Sequence, residues 1–243
     1  MNKKDRIKKL LNEKKVVFAM LHLKGENSEE ILEIAIKEAH SLYDNGVDGV
    51  IIENYFGDYS DMERVLQYFQ IHFRDKIYGV NALDNDKLGF ELTRKYGASF
   101  LQLDSVSGHL DAKEEPAFID MIQTEREKTD AFLFGGVRFK YQPYKSGRTL
   151  KDDLLLGMNR CDGIVVTGNA TGDETPLQKL KEFRDVCGNN FPLLIGSGSN
   201  PNNILSLFNF SQGAIVGSYF KDSYKDTGDV NGEHVKKFMS VII

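Results

Sequence analysis

Short apolar runs alternate with longer amphipathic segments along the chain. The runs Val16–Leu21, Gly49–Glu53, Ile77–Asn81, Phe100–Asp104, Phe132–Val137, Gly163–Thr167, Leu193–Gly196 and Ala214–Val216 predict strands. Most are apolar at nearly every position, as expected for strands covered on both faces in a parallel sheet. Between them lie helical patterns over Ser28–Asn45, Ser60–Phe73, Asp84–Tyr96, Pro116–Lys128, Leu150–Asn159, Thr175–Cys187, Pro201–Phe208 and Gly232–Val241. In the first of these, Ile31, Leu32, Ala35, Ala39 and Leu42 repeat at close to 3.6 residues, and Glu29 and Glu30 sit where the helix dipole favours acids. Asn200-Pro201 predicts an N-cap followed by an N1 proline.

Glycines recur just ahead of strands, in Gly46-Val47-Asp48-Gly49, Gly97-Ala98-Ser99, Cys161-Asp162-Gly163 and Gly213-Ala214, where a left-handed helix C-cap is expected. The runs Asp48-Gly49-Val50-Ile51-Ile52 and Asp162-Gly163-Ile164-Val165-Val166 are near copies. Strands alternating with helices in 243 residues predict a single closed (β/α)₈ barrel of the TIM type, which takes roughly 250 residues. An open doubly wound sheet would need a glycine-rich loop after its first strand. Leu21-His22-Leu23-Lys24-Gly25 is no such loop. The basic segment at about 2–14, with Ile7, Leu10 and Leu11, predicts an extra helix across the barrel floor.

Composition narrows the function classes. Two cysteines, Cys161 and Cys187, are too few for a disulfide framework or a four-thiolate zinc site, and both read as packing thiols. Interspersed charges and a pI of 5.6 speak against nucleic acid as a partner. No apolar run reaches the roughly 20 residues of a membrane span, and the basic N-terminus is not followed by the apolar stretch of a secretory signal. The expectation is a cytoplasmic protein without membrane insertion, assembled as a homodimer.

The active site of such a barrel lies at the C-terminal strand ends. Those ends carry His22, Glu53 and Asn54, Asn81, Asp104, Arg138 and Lys140, Thr167 with Asn169 and Thr171, Ser197 and Gly198, and Gly217 and Ser218. Gly196-Ser197-Gly198 and Gly217-Ser218 follow the last two strands, where barrels of this kind seat a phosphate on backbone N–H groups. A short helix over Tyr219–Ser223 would point its N-terminus at the same spot. Glu53 and Asp104, on even strands, are expected to face each other across the mouth as an acid/base pair. The competing reading is two carboxylates simply hydrogen-bonded to Asn54, Asn81 or Lys140. His22 reads as a proton shuttle or a structural donor, and Lys140 as a nucleophile or an anion partner. Asn54, Asn81, Arg138, Thr167, Asn169 and Thr171 are the substrate-binding candidates. Tyr141, Tyr144 and Lys145-Ser146-Gly147-Arg148 extend the fifth-strand loop into a candidate lid. No HxH or HExxH spacing supports a metal, and no cofactor is expected.

A set of motifs in order resembles the BtpA/SgcQ family: Phe18-Ala19-Met20-Leu21-His22-Leu23, Gly46-Val47-Asp48-Gly49-Val50-Ile51-Ile52-Glu53-Asn54, Tyr78-Gly79-Val80-Asn81, Thr167-Gly168-Asn169-Ala170-Thr171-Gly172, Leu194-Ile195-Gly196-Ser197-Gly198 and Gly213-Ala214-Ile215-Val216-Gly217-Ser218. The resemblance implies a barrel related to the ribulose-phosphate-binding group, without a settled reaction. The family is named from a photosystem I assembly phenotype, and another branch sits with sugar-uptake genes. Family members carry a Pro-Leu-Pro-Gly segment where this chain has Lys24-Gly25-Glu26-Asn27, and histidines around the lysine of Arg138-Phe139-Lys140-Tyr141. The Gly-Ser-Gly and Gly-Ser elements are intact. These readings converge on a small phosphorylated metabolite as partner and on an enzyme acting on a phosphorylated sugar or phosphoribosyl compound by isomerase, epimerase or lyase chemistry. The alternative is a non-catalytic binding or assembly protein that retains the phosphate site.

Overall fold

The computed structural model describes residues 1–242. Eight parallel strands close on themselves in chain order: β1 (Val16–His22), β2 (Gly49–Glu53), β3 (Tyr78–Asn81), β4 (Phe100–Ser107), β5 (Phe132–Val137), β6 (Gly163–Val166), β7 (Leu193–Ile195) and β8 (Gly213–Val216). The barrel closes where Val16–Ala19 pair with Gly213–Val216. Nine helices accompany the strands among the described residues. Helix α1 (Lys3–Glu13) precedes β1. Then α2 (Ser28–Asp44), α3 (Tyr59–His72), α4 (Asp86–Lys95), α5 (Glu115–Arg126), α6 (Leu150–Arg160), α7 (Leu177–Cys187), α8 (Ile204–Leu207) and α9 (Gly232–Met239) each follow one strand.

Strand alternation sorts side chains into two layers. On β1, Val17, Ala19 and Leu21 face the helices while Phe18 and Met20 face the barrel axis. The inner layer also holds Ile51, Phe100, Phe132, Phe134, Val165, Leu194 and Ile215. Phenylalanines dominate it. The rings of Phe18 and Phe100 lie 4.6 Å apart, and those of Phe132 and Phe134 lie 4.6 Å apart. Gly79 makes this possible, because a Cβ there would fall 2.2 Å from the Phe100 ring. Helix α1 plugs the floor with Ile7 and Leu11, which are buried against the same cluster.

The near-copied acids share one task. Asp48 accepts the Val17 N–H at 2.9 Å, and Asp162 accepts the Leu133 N–H at 3.0 Å. Each pins the strand before it, and each is paired with a lysine of the floor region, Lys14 and Lys4 respectively. Of the glycines expected at left-handed caps, Gly46 and Gly97 have φ of +96° and +69°. Gly163 and Gly213 lie inside strands instead, where neighbours crowd them: a Cβ on Gly213 would meet the Val16 carbonyl at 2.6 Å.

Two helix expectations are corrected. The predicted Pro201–Phe208 helix contracts to Ile204–Leu207, because Asn200 accepts the Asn202 N–H in a tight turn and Asn203 accepts the Asn200 N–H. The predicted Tyr219–Ser223 helix is a single 3₁₀ turn, Ser218–Phe220, after which Lys221 turns inward and becomes fully buried.

Candidate active site

His22, Glu53 and Asn81 are the last residues of adjacent strands and lie in one register: His22 pairs with Glu53, and Glu53 with Asn81. Each follows inward-facing residues by two positions, so all three turn to the barrel axis. Asp104 joins them from β4. That strand breaks register between Leu103 and Ser107, and Gly136 opposite admits it, since a Cβ there would lie 2.1 Å from the Asp104 carbonyl oxygen.

The two acids do not face each other across the mouth, as expected, but stand side by side with Asn81 between them. The Asn81 amide donates to Glu53 Oε1 at 2.7 Å and to Asp104 Oδ1 at 3.2 Å. Burial, reinforced by the Asp104 charge, pushes the Glu53 carboxyl up to about 8, with Lys140 and the Asn81 bond opposing. Burial also raises Asp104. His22, buried and stacked on Tyr55 at 4.7 Å, is driven down to about 3 by desolvation and the Lys221 charge.

The proton between His22 and Glu53 can be placed. His22 Nδ1 meets the Asp226 carbonyl oxygen at 3.4 Å, and an oxygen of that kind only accepts, so Nδ1 carries the hydrogen. Nε2 is then a bare acceptor 3.3 Å from Glu53 Oε2. A neutral imidazole facing a carboxyl with a raised pKa leaves the proton on Glu53. The contact is a hydrogen bond between neutral groups rather than an ion pair.

Lys140 reaches the same cavity, its ammonium donating to Thr171 Oγ1 at 3.0 Å. Its backbone N–H donates to Thr167 Oγ1 at 3.1 Å, so Thr167 positions Lys140 and does not line the cavity. Asn54 is likewise spent on structure, accepting the Leu83 N–H at 2.8 Å. Arg138 turns away to Asp153 at 3.0 Å and to the Tyr144 ring, 4.3 Å from its centre. Asn169 is exposed on the loop after β6. Of the six substrate-binding candidates, the structure brings Thr171 to the cavity wall and sets Asn81 behind the two acids.

The cavity, about 400 Å³, opens at the C-terminal rim. The loops after β7 and β8 meet there: Ser197, Gly198, Ser199, Gly217 and Ser218 all line it. Among the described residues, nothing accepts the N–H of Gly198, Ser199, Gly217 or Ser218. The Ser199 hydroxyl is 4 % exposed and also has no partner. Ser197 is engaged otherwise, accepting the Gly168 N–H at 2.7 Å. Gly198 is obligatory, with φ of +64° and only 2.3 Å between a built Cβ and Glu174 Cα.

A buried network braces the rim beside His22. Lys221 donates to Glu38 at 2.8 Å, and Lys24 reaches Glu38 at 3.5 Å and Asp229 at 2.6 Å. These contacts hold the segment between β8 and α9, which supplies the Asp226 carbonyl. Sequence reasoning missed Lys221, Lys24, Tyr55, Gln102 and Ser199. The only signal was Lys24, where the family's proline-rich segment is absent.

The BtpA family model matches residues 13–243. The chain belongs to the BtpA family. An uncharacterized protein of Pyrococcus furiosus is 29% identical, with 92% of this chain and 93% of that one covered. A photosystem I biogenesis protein, BtpA, of Synechocystis sp. is 27% identical over 85% of this chain and 76% of that one. Among solved structures, native KDPGal superimposes with a TM-score of 0.64 at 12% identity, covering 93% of both chains. Thiamine phosphate pyrophosphorylase of Pyrococcus furiosus gives 0.64 at 13%, covering 97% of both. Phosphoribosyl anthranilate isomerase of Thermus thermophilus gives 0.60 at 11%, covering 93% of this chain and 97% of that one. At these identities the likeness establishes the barrel fold. No helix among the described residues is long and apolar enough to cross a membrane.

Proposed function

We propose that this BtpA-family barrel is an enzyme acting on a phosphorylated sugar or phosphoribosyl compound by proton transfer at the rim. One observation supports the reading: Gly198, Ser199, Gly217 and Ser218, whose amides have no acceptor among the described residues, line the cavity that Glu53, Asp104, His22 and Lys140 also line, and the buried Ser199 hydroxyl has no partner either. Unsatisfied donors at a glycine-bearing corner suit an anion, and a bound phosphate would hold the remaining carbons against the acids. Barrel neighbours named for a thiamine phosphate and for a phosphoribosyl compound add support.

In this mechanism Glu53, which holds its proton at neutral pH, donates to a substrate oxygen or carbon. Asp104 removes a proton from the carbon beside a carbonyl. The Lys140 ammonium stabilises the oxyanion that develops, the bare Nε2 of neutral His22 holds the Glu53 proton in place until it is donated, and cavity water carries the proton gained by Asp104 back to Glu53 after the product leaves. Isomerase, epimerase and carbon–carbon lyase reactions share these steps.

Calorimetry with phosphorylated sugars and their free counterparts tests the anchor. Phosphorylated members should bind and free sugars should not. Equal binding of both, or of neither, defeats the reading. A second reading, a binding or assembly protein, has one observation in its favour, the Synechocystis relative named for photosystem I biogenesis. Replacing Glu53 by Gln and Asp104 by Asn separates the two. An enzyme loses turnover and keeps ligand affinity, whereas a binding protein has no turnover to lose across the same panel.

A further inference from the structure

Buried acids elsewhere in this molecule have cationic partners, apart from Asp61, which caps its own helix by accepting the Asp58 N–H. Glu38 pairs with Lys221, Glu115 with Arg160, Glu125 with Arg94, and Asp153 with Arg138. The side of the cavity formed by β3 and β4 breaks this pattern. Asp84, at the mouth, and Asp86 and Asp104, deeper in, have no Lys, Arg or His nitrogen within 4.0 Å among the described residues. A recess of about 150 Å³ runs off the main cavity here, lined by Asn81, Asp84, Asp86, Asp104, His109 and Gln142.

A second observation points the same way. Gln102 lies two residues before Asp104 on the same inward face of β4 and lines the main cavity beside Asp84 and Asp104. It is 4 % exposed, and its Oε1 has no hydrogen-bond partner. A carbonyl oxygen buried in this way needs a donor. This wall therefore offers acceptors, while β7 and β8, on the opposite side of the closed strand order, offer donors.

We propose that the β3–β4 wall receives a positively charged nitrogen, so that the ligand is a phosphorylated compound bearing an amino or amidinium group. The proposal rests on the phosphate reading of the β7–β8 corner and names what lies at the other end of the molecule. Crowding explains why the site waits for a cation: burial and the neighbouring acids push Asp86 up to about 6, and Asp104 is raised as well. An ammonium or amidinium neutralises the acids, and a turn of the Gln102 side chain toward it would give Oε1 the donor it lacks. Among the described residues no group of three or more His, Cys, Asp or Glu side chains is arranged to hold a metal ion, which favours an organic cation.

Matched probes test this. Calorimetry compares glucosamine 6-phosphate with glucose 6-phosphate, and O-phosphoethanolamine with 2-hydroxyethyl phosphate, each against inorganic phosphate. The amine member of at least one pair should bind about tenfold tighter or more, the effect of a charged hydrogen bond. The Asp84→Asn, Asp86→Asn double variant should lose that preference and keep its affinity for inorganic phosphate. No preference in either pair, with inorganic phosphate still bound, overturns this inference and leaves the phosphate anchor standing. If inorganic phosphate and all four probes fail to bind, the anchor falls and this inference with it.

Discussion

Replacing Glu53 with glutamine should make the protein more stable, by an amount that grows with pH. In the folded chain burial pushes the carboxyl up to about 8 from its ordinary value of 4.5. Below the lower value both states hold the proton, and the neutral side chain contributes its full stability. As pH rises, the unfolded chain releases a proton that the folded chain keeps, so stability falls by up to about 1.4 kcal/mol per unit until folded Glu53 also ionises near 8. The accumulated loss is about 1 kcal/mol at about pH 5, about 3 at pH 7 and about 4 at pH 8. Glutamine copies the neutral acid: its Oε1 accepts from Asn81, and its amide donates to the bare His22 Nε2. Urea denaturation of both proteins across this range should show the variant gaining about 3 kcal/mol between pH 5 and pH 8, or about half that if cavity water screens the charge. A variant-to-parent difference that stays flat over this range would refute a protonated Glu53 and the proton placement with it.

Gly198→Ala should weaken phosphate binding at least about tenfold and lower stability by about 2 kcal/mol or more, because its φ is positive and the added carbon meets Glu174; calorimetry and thermal melts read both. Lys221→Met should destabilise by about 2–3 kcal/mol, because it leaves buried Glu38 with Lys24 at 3.5 Å as its remaining cation, and adding Glu38→Leu should recover part of that, as a double-mutant cycle in urea will measure. Thr167→Val removes the acceptor of the Lys140 N–H without touching the cavity wall. It should lower turnover of a phosphosugar substrate about tenfold while inorganic phosphate affinity stays unchanged; loss of both together would count against a positioning role.

The barrel was legible because strand burial on two faces writes itself as apolar runs, and because the Asp-Gly-Val-Ile-Ile and Asp-Gly-Ile-Val-Val copies marked equivalent strand starts. Glu53, Asp104, His22 and Lys140 were legible for a related reason: each lies at or just beyond the end of such a run, and the fold fixes which end carries chemistry. Side-chain direction was not legible. Arg138, with its positive φ of 48°, points away from the axis toward a buried acid fifteen residues on, and Asn54 turns to a backbone amide. The side-by-side placement of the acids rests on Asn81, which bridges them from the strand between, a long-range condition absent from local pattern. Gln102 and Ser199 announce themselves only through what fails to touch them.

The hydrogen on His22 Nδ1 is held by a main-chain oxygen, and that oxygen belongs to a strap anchored by lysines at either end. The protonation pattern of the His22–Glu53 pair is thereby tied to the position of a segment about two hundred residues away in the chain. Lifting the strap would take the acceptor from Nδ1, free the imidazole to exchange tautomers, and let Nε2 donate where it now receives. Opening this barrel to admit a ligand would thus also reset the direction in which its histidine and glutamate pass a proton.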